Sequence, residues 1–256
     1  MSTPLPILYQ DNDLVVIYKP ANMLVHRSFR SPGETVFVLQ KLRDQLGQHV
    51  FPVHRLDRPT AGVMVFALSS EIARALGEQF TTHRVQKTYL AIVRGHVHEA
   101  GVIDHPLDVQ VDDYDDPRAA QDKEAQEAVS HYWPVAQVTL PIAIGRYPEA
   151  RYTLVELEPK TGRTHQLRRH MKHFFHPMAG DTSYGEGRHN RLFREHFNWH
   201  RLALFAVGLE LIHPRTGEKL SIKTPPDQEA MTLFEQLGWK FADEMPINRS
   251  VKVITA

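Results

Sequence analysis

The sequence has no cysteine, no excess of either charge and no long apolar run, and each absence excludes a class of protein. Without cysteine there can be no disulfide bond, no cysteine-ligated zinc and no thiolate nucleophile, and such usage is typical of a reducing compartment. No apolar run reaches the length of a membrane-spanning helix, about 18 residues, and the amino terminus lacks a basic region followed by an apolar core. The chain has 256 residues, 42% of them hydrophobic, which is enough for a large core. These features predict a folded cytoplasmic protein without membrane contact.

Charge is balanced over the whole chain but not along it. There are 30 lysines and arginines and 30 aspartates and glutamates. Between Asp104 and Glu127, nine acidic residues stand against two basic ones, so this segment carries −7 and the remainder carries +7. Five lysines and arginines and no acid lie between Lys160 and His173, and four arginines lie between Arg188 and Arg201. Two such clusters favour an anion-binding cleft, although either alone could be a solvated surface.

Hydrophobic spacing predicts strands and helices that do not alternate regularly. The strand candidates are 14–18, 63–67, 89–93, 129–138 and 152–157, and 209–213 with 220–223 resembles a hairpin. Helices are predicted where Val36, Leu39, Leu42 and Leu46 precede Gly47, after Ser69-Ser70, after Gly162, and over 227–238. This mixture favours a single α+β domain over 1–256 with a mixed or mostly antiparallel sheet. The acidic stretch 108–128 is predicted to be a surface insertion.

One string of residues places an acid between two arginines. His54-Arg55-Leu56-Asp57-Arg58 continues through Pro59 and Gly62 into the apolar run at 63–67. Nearby cations favour the charged form of a carboxylate, and this suits a nucleophile or an electrostatic stabiliser better than a general acid. A structural ion pair on a loop is the alternative interpretation.

Two further strings carry candidate chemistry. The stretch 159–171 joins a glycine turn to a basic helix start, where backbone N–H groups, the helix dipole and cations together suit a phosphate or carboxylate. Arg168 lies one position off the apolar stripe of this helix and could reach a carboxylate across a cleft, but an ordinary basic surface helix remains possible. In the stretch 86–95, Tyr89 begins a strand beside a cation, and a half-buried strand residue is the alternative.

Neither a metal site nor a cofactor site is predicted. His170, His173 and His176 recur every three residues, so on a helix they fan out instead of converging, and no acid or cysteine lies between them. The sequence has no Gly-rich phosphate loop of the Walker or Rossmann type and no nucleophile elbow around its serines.

Six ordered motifs resemble those of the RluA-type pseudouridine synthases. They are Asp11 to His26, His54 to Asp57, Lys87 to Tyr89, Gly162 to Arg168, His176 to Asp181, and the late hairpin with Leu211 to Pro214. The resemblance spans most of the chain, and motifs in the family's order are more specific than any one of them. It implies a central mixed, mostly antiparallel sheet flanked by helices, with a central active-site cleft. Because the match begins within the first ten residues, no N-terminal S4 RNA-binding domain is expected.

The resemblance also implies an activity, the isomerisation of uridine to pseudouridine in RNA, without a cofactor. A narrower similarity, carried by Leu24 to Ser28, Gly47 to Phe51 and Gly145 to Tyr152, points to tRNA as the substrate and to uridine 65 in the T-stem. That uridine is paired, so the enzyme must flip it out of the duplex at a cost of about a few kcal/mol. The alternatives are the same chemistry on ribosomal RNA or another tRNA position, and an RNA-binding module without chemistry. A monomer without a protein partner is expected.

Residue roles follow from the resemblance position by position. Asp57 matches the catalytic aspartate, which could attack C1′, attack C6 or assist proton loss at C2′ through a glycal. Tyr89 matches the active-site tyrosine that packs on the target base and serves in proton transfer, and Arg168 matches the arginine that pairs with the aspartate. Arg55 matches the residue that enters the RNA helix where the flipped base was. Further RNA contacts are expected from Arg58, Arg163, Thr164, His165, Arg169 and Lys172.

Overall fold

The computed structural model of the chain describes residues 3–26, 33, 35–110 and 124–239. These residues form ten strands and five helices. In chain order the elements are β1 (Ile7–Gln10), β2 (Leu14–Lys19), α1 (Val38–Leu46), β3 (Phe51–Pro52), β4 (Ala61–Ala67), α2 (Ser70–Thr81), β5 (Gln86–Arg94), β6 (Gly101–Asp104), β7 (Val129–Leu140), β8 (Ala150–Pro159), α3 (Gln166–His173), α4 (Gly187–Phe197), β9 (Leu204–Ile212), β10 (Lys219–Lys223) and α5 (Gln228–Gln236). The predicted α+β class is confirmed. Most of the predicted acidic insertion, residues 111–123, lies outside the described residues.

The chain divides into two compact units. Unit 1 comprises Met1–Lys87, Asp108–Gln126 and Ala206–Thr224, and unit 2 comprises Thr88–Leu107, Glu127–Phe205 and Pro225–Ala256. Most of β9 therefore belongs to unit 1 and most of β5 to unit 2.

Unit 1 is built on the antiparallel strands β1, β2 and β4, in that order, with β3 also paired to β4. β9 and β10 form the predicted antiparallel hairpin. Every residue of β4 is buried, which explains why its sequence is apolar without alternation. Ile72 and Leu76 of α2 pack into this core. α2 begins where the sequence predicts, because the side chain of Ser69 accepts a hydrogen bond from the N–H of Ile72 at 3.3 Å.

Unit 2 contains the strand order β5-β8-β7-β6, and each neighbouring pair is antiparallel. The register of β7 shifts after Pro134, which has no N–H to donate to the ladder. Leu167 and Met171 of α3 are buried in the core of this unit, so the predicted apolar stripe is confirmed. α3 ends at His173, and His176 therefore lies beyond the helix.

Two helices differ from the prediction. α1 begins at Val38 and not at Val36, because Phe37 has an extended backbone and the N–H of Val38 donates to the carbonyl of Leu24. The side chain of Val36 is 50% exposed outside the helix. The hydrophobic spacing does not predict α4, whose buried residues include the polar Asn190.

The predicted helix at 227–238 is present in a shorter form. Asp227 is its N-cap, because its side chain accepts a hydrogen bond from the N–H of Ala230 at 3.0 Å. The helix ends at Gln236, before Leu237 and the left-handed Gly238. Among the helices of the described residues, none combines the length and apolar character needed to cross a membrane.

Candidate active site

Asp57 lies in unit 1, in a turn immediately before β4. The N–H of Thr60 donates to the carbonyl oxygen of Asp57 at 3.1 Å and closes a turn with Arg58 and Pro59 at its centre. Leu56 is buried, whereas the side chain of Asp57 is only half-buried. The neighbouring core therefore anchors the loop while the aspartate remains at its surface.

Gly62 fixes the point at which this turn enters β4. Its φ is +127°, and a Cβ built there would lie 2.1 Å from the carbonyl oxygen of Ala206. No side chain fits at that distance, so only glycine allows the backbone of β4 to approach Ala206 so closely.

Lys19 holds the same turn through its ammonium group. The residue ends β2 and is fully buried, and its Nζ donates to the carbonyl oxygens of Pro20 at 2.9 Å, Met23 at 2.8 Å and Arg58 at 3.1 Å. Burial lowers the pKa of Lys19 to about 7, against the opposing effect of the Asp57 carboxylate and with a smaller contribution from Arg58. Lys19 is not among the predicted site residues, although a lysine at the end of an apolar strand is a visible signal in the sequence.

His54 supports the motif from a partly buried position beside β4. Its Nε2 accepts a hydrogen bond from the N–H of Val65 at 3.0 Å, and its ring stacks on Phe80 with centroids 4.5 Å apart. Burial, reinforced by the charge of Lys87, lowers the pKa of His54 to about 3, so the imidazole is neutral at pH 7. Arg55, the next residue, is exposed. The motif thus combines a structural histidine with an arginine at the surface.

Tyr89 lies on β5 in unit 2. It stands opposite Leu157 of β8 in the strand register, and its partly buried side chain packs against the core that contains Val155 and Leu167. Part of the side chain therefore remains accessible, as a residue that packs on a base requires.

Arg168 of α3 forms a buried ion pair with Asp181. Its Nε donates to Oδ2 and its Nη2 to Oδ1, both at 2.8 Å, and the two side chains are 5% and 0% exposed. Burial alone would raise the pKa of Asp181, but the hydrogen bond and charge of Arg168, with the N–H groups of Tyr184 and Ser183, lower it overall. A two-point pair between buried side chains holds the guanidinium plane in one orientation.

Asp181 is not among the site residues predicted from the sequence, although it lies in the motif His176 to Asp181. The resemblance implies that Asp57 is the partner of Arg168, and that pairing stays a prediction. In the structure, the carboxylate that accepts from Nε and Nη2 of Arg168 belongs to Asp181. Asn190 holds the backbone beside it, because its Oδ1 accepts from the N–H of Gly180 at 2.9 Å and its Nδ2 donates to the carbonyl of Asp181 at 2.7 Å. The available signal was an acid that follows glycine inside one of the six motifs.

Tyr184 gathers three of the side chains near α3. The guanidinium carbon of Arg168 lies 5.0 Å and the Nζ of Lys172 5.9 Å from the centroid of its ring. Its hydroxyl lies 2.9 Å from Nδ1 of His165. A phenol ring beside two cations is a cation–π arrangement, and because Arg168 and Lys172 are four residues apart it lies against one face of α3.

Gln166 braces the loop that the sequence predicts to bind an anion. Its Oε1 accepts from the hydroxyl of Thr161 at 2.7 Å and from the N–H of Arg163 at 2.9 Å. Its Nε2 donates to the carbonyl of Val129 at 2.9 Å and to the hydroxyl of Ser130 at 3.0 Å. The N–H of Arg163 therefore already donates to a protein group. An anion at this loop would be bound by side chains and not by this backbone N–H.

The predicted residues fall into two groups. Unit 1 holds Arg55, Asp57 and Arg58, and unit 2 holds Tyr89, Arg163, Thr164, His165, Arg168, Arg169 and Lys172. Arg55 and Lys172 are exposed, Arg168 is buried, and the others are partly buried. Within unit 2 the structure brings His165, Arg168 and Lys172 together around Tyr184.

His170 and His176, two of the histidines that recur every three residues, form hydrogen bonds within the protein. The Nε2 of His170 lies 3.0 Å from the carbonyl oxygen of His105, and its Nδ1 lies 2.9 Å from the hydroxyl of Ser130. His176 bonds through Nδ1 to the carbonyl of Arg94 at 2.8 Å. Both nitrogens of the buried His170 ring are thus engaged in structural hydrogen bonds.

Asp11, Asp13 and His213 are the group in the described part of the chain whose side-chain atoms lie close enough together to hold a metal, within 4.8 Å. Nδ1 of His213 accepts from the N–H groups of Thr216 at 3.2 Å and Arg215 at 3.3 Å, so the ring proton is on Nε2, which donates to Asp11 at 2.9 Å. Arg215 donates to both oxygens of Asp13. The group is an ion-pair network that already satisfies the atoms a metal would need.

Comparison with known proteins gives consistent results. Residues 13–173 match the family described as RNA pseudouridylate synthase, and this segment contains Asp57, Tyr89 and Arg168. The chain is 56% identical over 236 residues to tRNA pseudouridine synthase C of Vibrio cholerae, which covers 92% of this chain and 97% of that protein. It is 54% identical over 239 residues to the protein of the same name from Haemophilus ducreyi, which covers 93% and 98%.

Two solved human structures are also similar. The structure named Human RNA Pseudouridylate Synthase Domain Containing 4 matches with a TM-score of 0.69 and 27% identity, over 93% of this chain and 95% of that one. Human RNA Pseudouridylate Synthase Domain Containing 1 matches with a TM-score of 0.66 and 25% identity, over 87% and 83%.

Proposed function

Because the chain belongs to the RNA pseudouridylate synthase family and is of its RluA type, we propose that it converts uridine to pseudouridine in tRNA, with uridine 65 of the T-stem as the target. The observation that carries the substrate is the similarity, over nearly the whole chain, to relatives named tRNA pseudouridine synthase C. The target position rests on the narrower resemblance in Leu24 to Ser28, Gly47 to Phe51 and Gly145 to Tyr152.

The chemistry needs one carboxylate and a site that keeps hold of the base. The bond between C1′ and N1 of uridine breaks, the base rotates, and C1′ is joined to C5. N1 gains a proton and C5 loses one, so the product is an isomer and no oxidant, reductant or external group is consumed. Asp57 supplies the carboxylate that assists cleavage, as the nucleophile does in a retaining glycosidase. Water must be excluded while the base is detached.

Tyr89 and Arg168 complete the catalytic set in this proposal. Tyr89 packs on the target base, and Arg168 is the ion-pair partner of Asp57. The two-point bond between Arg168 and Asp181 supports this role, because it holds the guanidinium in one orientation before substrate binds. Asp181 is accordingly a positioning residue.

The remaining predicted residues serve RNA binding. Arg55 fills the space that the flipped nucleotide leaves in the duplex. Phosphates and sugars are contacted by Arg58, Arg163, Thr164, His165, Arg169 and Lys172, and the exposed or partly exposed state of these side chains supports that assignment. We also propose that the chain acts as a monomer in the cytoplasm, where its tRNA substrate is found.

The test compares Asp57→Asn with Asp104→Asn, which neutralises an exposed acid of β6. Asp57→Asn should abolish pseudouridine formation in tRNA, while tRNA affinity stays within about tenfold because phosphate contacts supply most of the affinity. Asp104→Asn should leave both unchanged. Retained activity in Asp57→Asn would defeat the assignment of the catalytic residue.

The target is tested by mapping pseudouridine in total RNA from cells with and without the gene. Loss of the modification at tRNA position 65 is expected. Loss at a ribosomal or another tRNA site would defeat the claim for position 65, and an unchanged map with normal tRNA binding would favour a non-catalytic RNA-binding module.

A further inference from the structure

The arginine-rich segment that begins at α4 has no part in the proposed active site. Its last arginine, Arg201, is 7% exposed and pairs with the carboxylate of Asp227, so its role is structural. The other three, Arg188, Arg191 and Arg194, are exposed residues of α4. These three arginines therefore present their charges to solvent on one helix.

The spacing of these arginines suits a polyanion. They recur every three residues, so they span about 9 Å along the helix and fan out over about 120° of its surface. Because the charges of a nucleic-acid strand are only a few ångströms apart, such a row can contact more than one phosphate. Glu195 is the only acidic residue in α4. Leu192 and Phe193 fill the opposite, buried face.

A tight turn between β7 and β8 presents a further arginine and an aromatic ring. Ile144 and Tyr147 exchange two backbone hydrogen bonds, at 2.9 and 3.0 Å, with Gly145 and Arg146 between them. Tyr147 is 57% exposed. Nη2 of Arg146 donates to the hydroxyl of Tyr147 at 3.0 Å, and its guanidinium carbon lies 5.1 Å from the centroid of the ring. The turn thus projects an arginine and a tyrosine that order each other.

The turn and α4 adjoin within unit 2. A Cβ built on Gly145 would lie 2.6 Å from Nη1 of Arg188, so this guanidinium rests against the turn. α4 is fixed on β8 by the fully buried Tyr152, whose hydroxyl lies 2.7 Å from Nδ1 of His189 and whose ring meets Phe193 edge-on with centroids 4.9 Å apart. The turn that carries Arg146 and Tyr147 therefore adjoins the row of arginines on α4 at Arg188.

Two acids near this surface already have cationic partners. Glu149 pairs with Arg151, and Glu186 pairs with Arg94. These pairs occupy both carboxylates, and Glu195 offsets one of the three arginine charges on α4, so the row keeps a net positive charge.

We propose that Arg146, Tyr147, Arg188, Arg191 and Arg194 form a second contact surface for the RNA substrate. The four arginines bind phosphates of the RNA backbone, and the ring of Tyr147 stacks on an exposed base. This inference rests on the proposed function, because an RNA substrate supplies both the phosphates and the base. It adds a binding surface outside the residues assigned to catalysis and base flipping.

The phosphate contacts are tested with the triple variant R188A/R191A/R194A and a tRNA transcript at several salt concentrations. Each lost phosphate contact reduces the magnitude of the negative slope of log K against log salt by about 0.7 to 0.9, so the slope should become shallower by about 2 and the affinity should fall by at least about tenfold. The control, Arg74→Ala, removes an exposed arginine from α2 and should change neither quantity. Unchanged affinity and slope in the triple variant would overturn the proposal.

The stacking contact is tested separately with Tyr147→Ala and Tyr147→Phe. The alanine variant should bind RNA about tenfold more weakly, whereas phenylalanine, which keeps the ring, should bind within about twofold of the wild type. Equal binding by both variants would remove Tyr147 from the surface. If the triple variant does not fold, each single arginine variant should still give a slope that is shallower by about 0.7 to 0.9.

Failure of this inference differs from failure of the proposed function. Normal pseudouridine formation by the wild type, together with unchanged RNA binding by the variants, would defeat the surface alone. Wild-type protein that binds tRNA without forming pseudouridine would defeat the proposed activity on tRNA, while the salt slopes would still report on the surface.

Discussion

Replacement of Asp181 by asparagine should destabilise the protein far more than the loss of a surface ion pair. The side chains of Asp181 and Arg168 are 0% and 5% exposed, and two hydrogen bonds of 2.8 Å join them. Asparagine keeps the shape but removes the negative charge that two hydrogen bonds of the buried guanidinium meet, and its NH₂ group cannot accept from the guanidinium. Breaking a buried pair from one side costs about 3 to 5 kcal/mol, and two charge-assisted hydrogen bonds at about 1.5 to 3 kcal/mol each give the same order.

The measurement is the free energy of unfolding in urea at pH 7, followed by circular dichroism and tryptophan fluorescence. Glu78→Gln is the matched control, because it removes a 3.0 Å pair with Arg84 in which the side chains are 68% and 55% exposed. We expect a loss of about 3 to 5 kcal/mol for Asp181→Asn and of less than about 1 kcal/mol for the control. A loss below about 1 kcal/mol in Asp181→Asn would refute the reasoning.

Two further comparisons separate stability from activity. Removing both charges, as in R168M/D181L, should destabilise less than Asp181→Asn alone, because no buried charge is left without its partner. The double variant should nevertheless be inactive, since Arg168 is proposed to act in catalysis. The pKa of Asp181 is lowered by folding from 3.8, so its contribution is complete above that pH and is lost as the pH falls through the lower, folded value. The stability gap between wild type and Asp181→Asn should therefore close in acid.

Three more predictions concern the scaffold of the Asp57 turn. Lys19 has a pKa of about 7 when folded and 10.5 when unfolded, so wild type should gain stability relative to Lys19→Met between pH 7 and pH 10.5. His54 has a pKa of about 3 when folded and 6.5 when unfolded, so below pH 6.5 the unfolded chain binds a proton that the folded chain does not. Wild type should therefore lose stability relative to His54→Gln as the pH falls below 6.5, by up to about 1.4 kcal/mol per pH unit. Gly62→Ala should lose more than about 3 kcal/mol because the new Cβ meets Ala206, whereas Gly187→Ala, with nothing within 4 Å, should change by less than about 1 kcal/mol.

Urea titrations over pH 3 to pH 10, at about one-unit steps, measure the first two effects. A constant difference between wild type and Lys19→Met across the alkaline range would contradict the role given to burial, as would a constant difference for His54→Gln in acid. Equal stability of the two glycine variants would show that β4 can move away from β9.

Local signals explain which elements the sequence could predict. For α2, the cap at Ser69 and the apolar stripe lie within one short stretch, so both are visible in the sequence. For α4, the buried set includes Asn190, whose amide is satisfied by backbone groups of Gly180 and Asp181 in a different loop. A buried polar residue of this kind has no sequence signature, because its partners are brought to it by the tertiary fold.

The same distinction applies to the candidate site. The six motifs identify Asp57, Tyr89 and Arg168 as candidates through their residue types and order. The supporting contacts join positions far apart in sequence, since 39 residues separate Lys19 from the Arg58 carbonyl and 13 separate Arg168 from Asp181. Such pairings depend on how strands and loops meet, and no local pattern reports them.

Gln166 has a consequence for protein engineering. Its amide joins the start of β7, the loop after β8 and the first turn of α3 through four hydrogen bonds. If this loop is replaced by that of a relative to change the target of the enzyme, the glutamine and its hydrogen-bond partners must be transferred together. Even glutamate, of nearly the same size, would lack the NH₂ group that donates to Val129 and Ser130. The unit that can be transferred is therefore the hydrogen-bonded set of residues and not the loop alone.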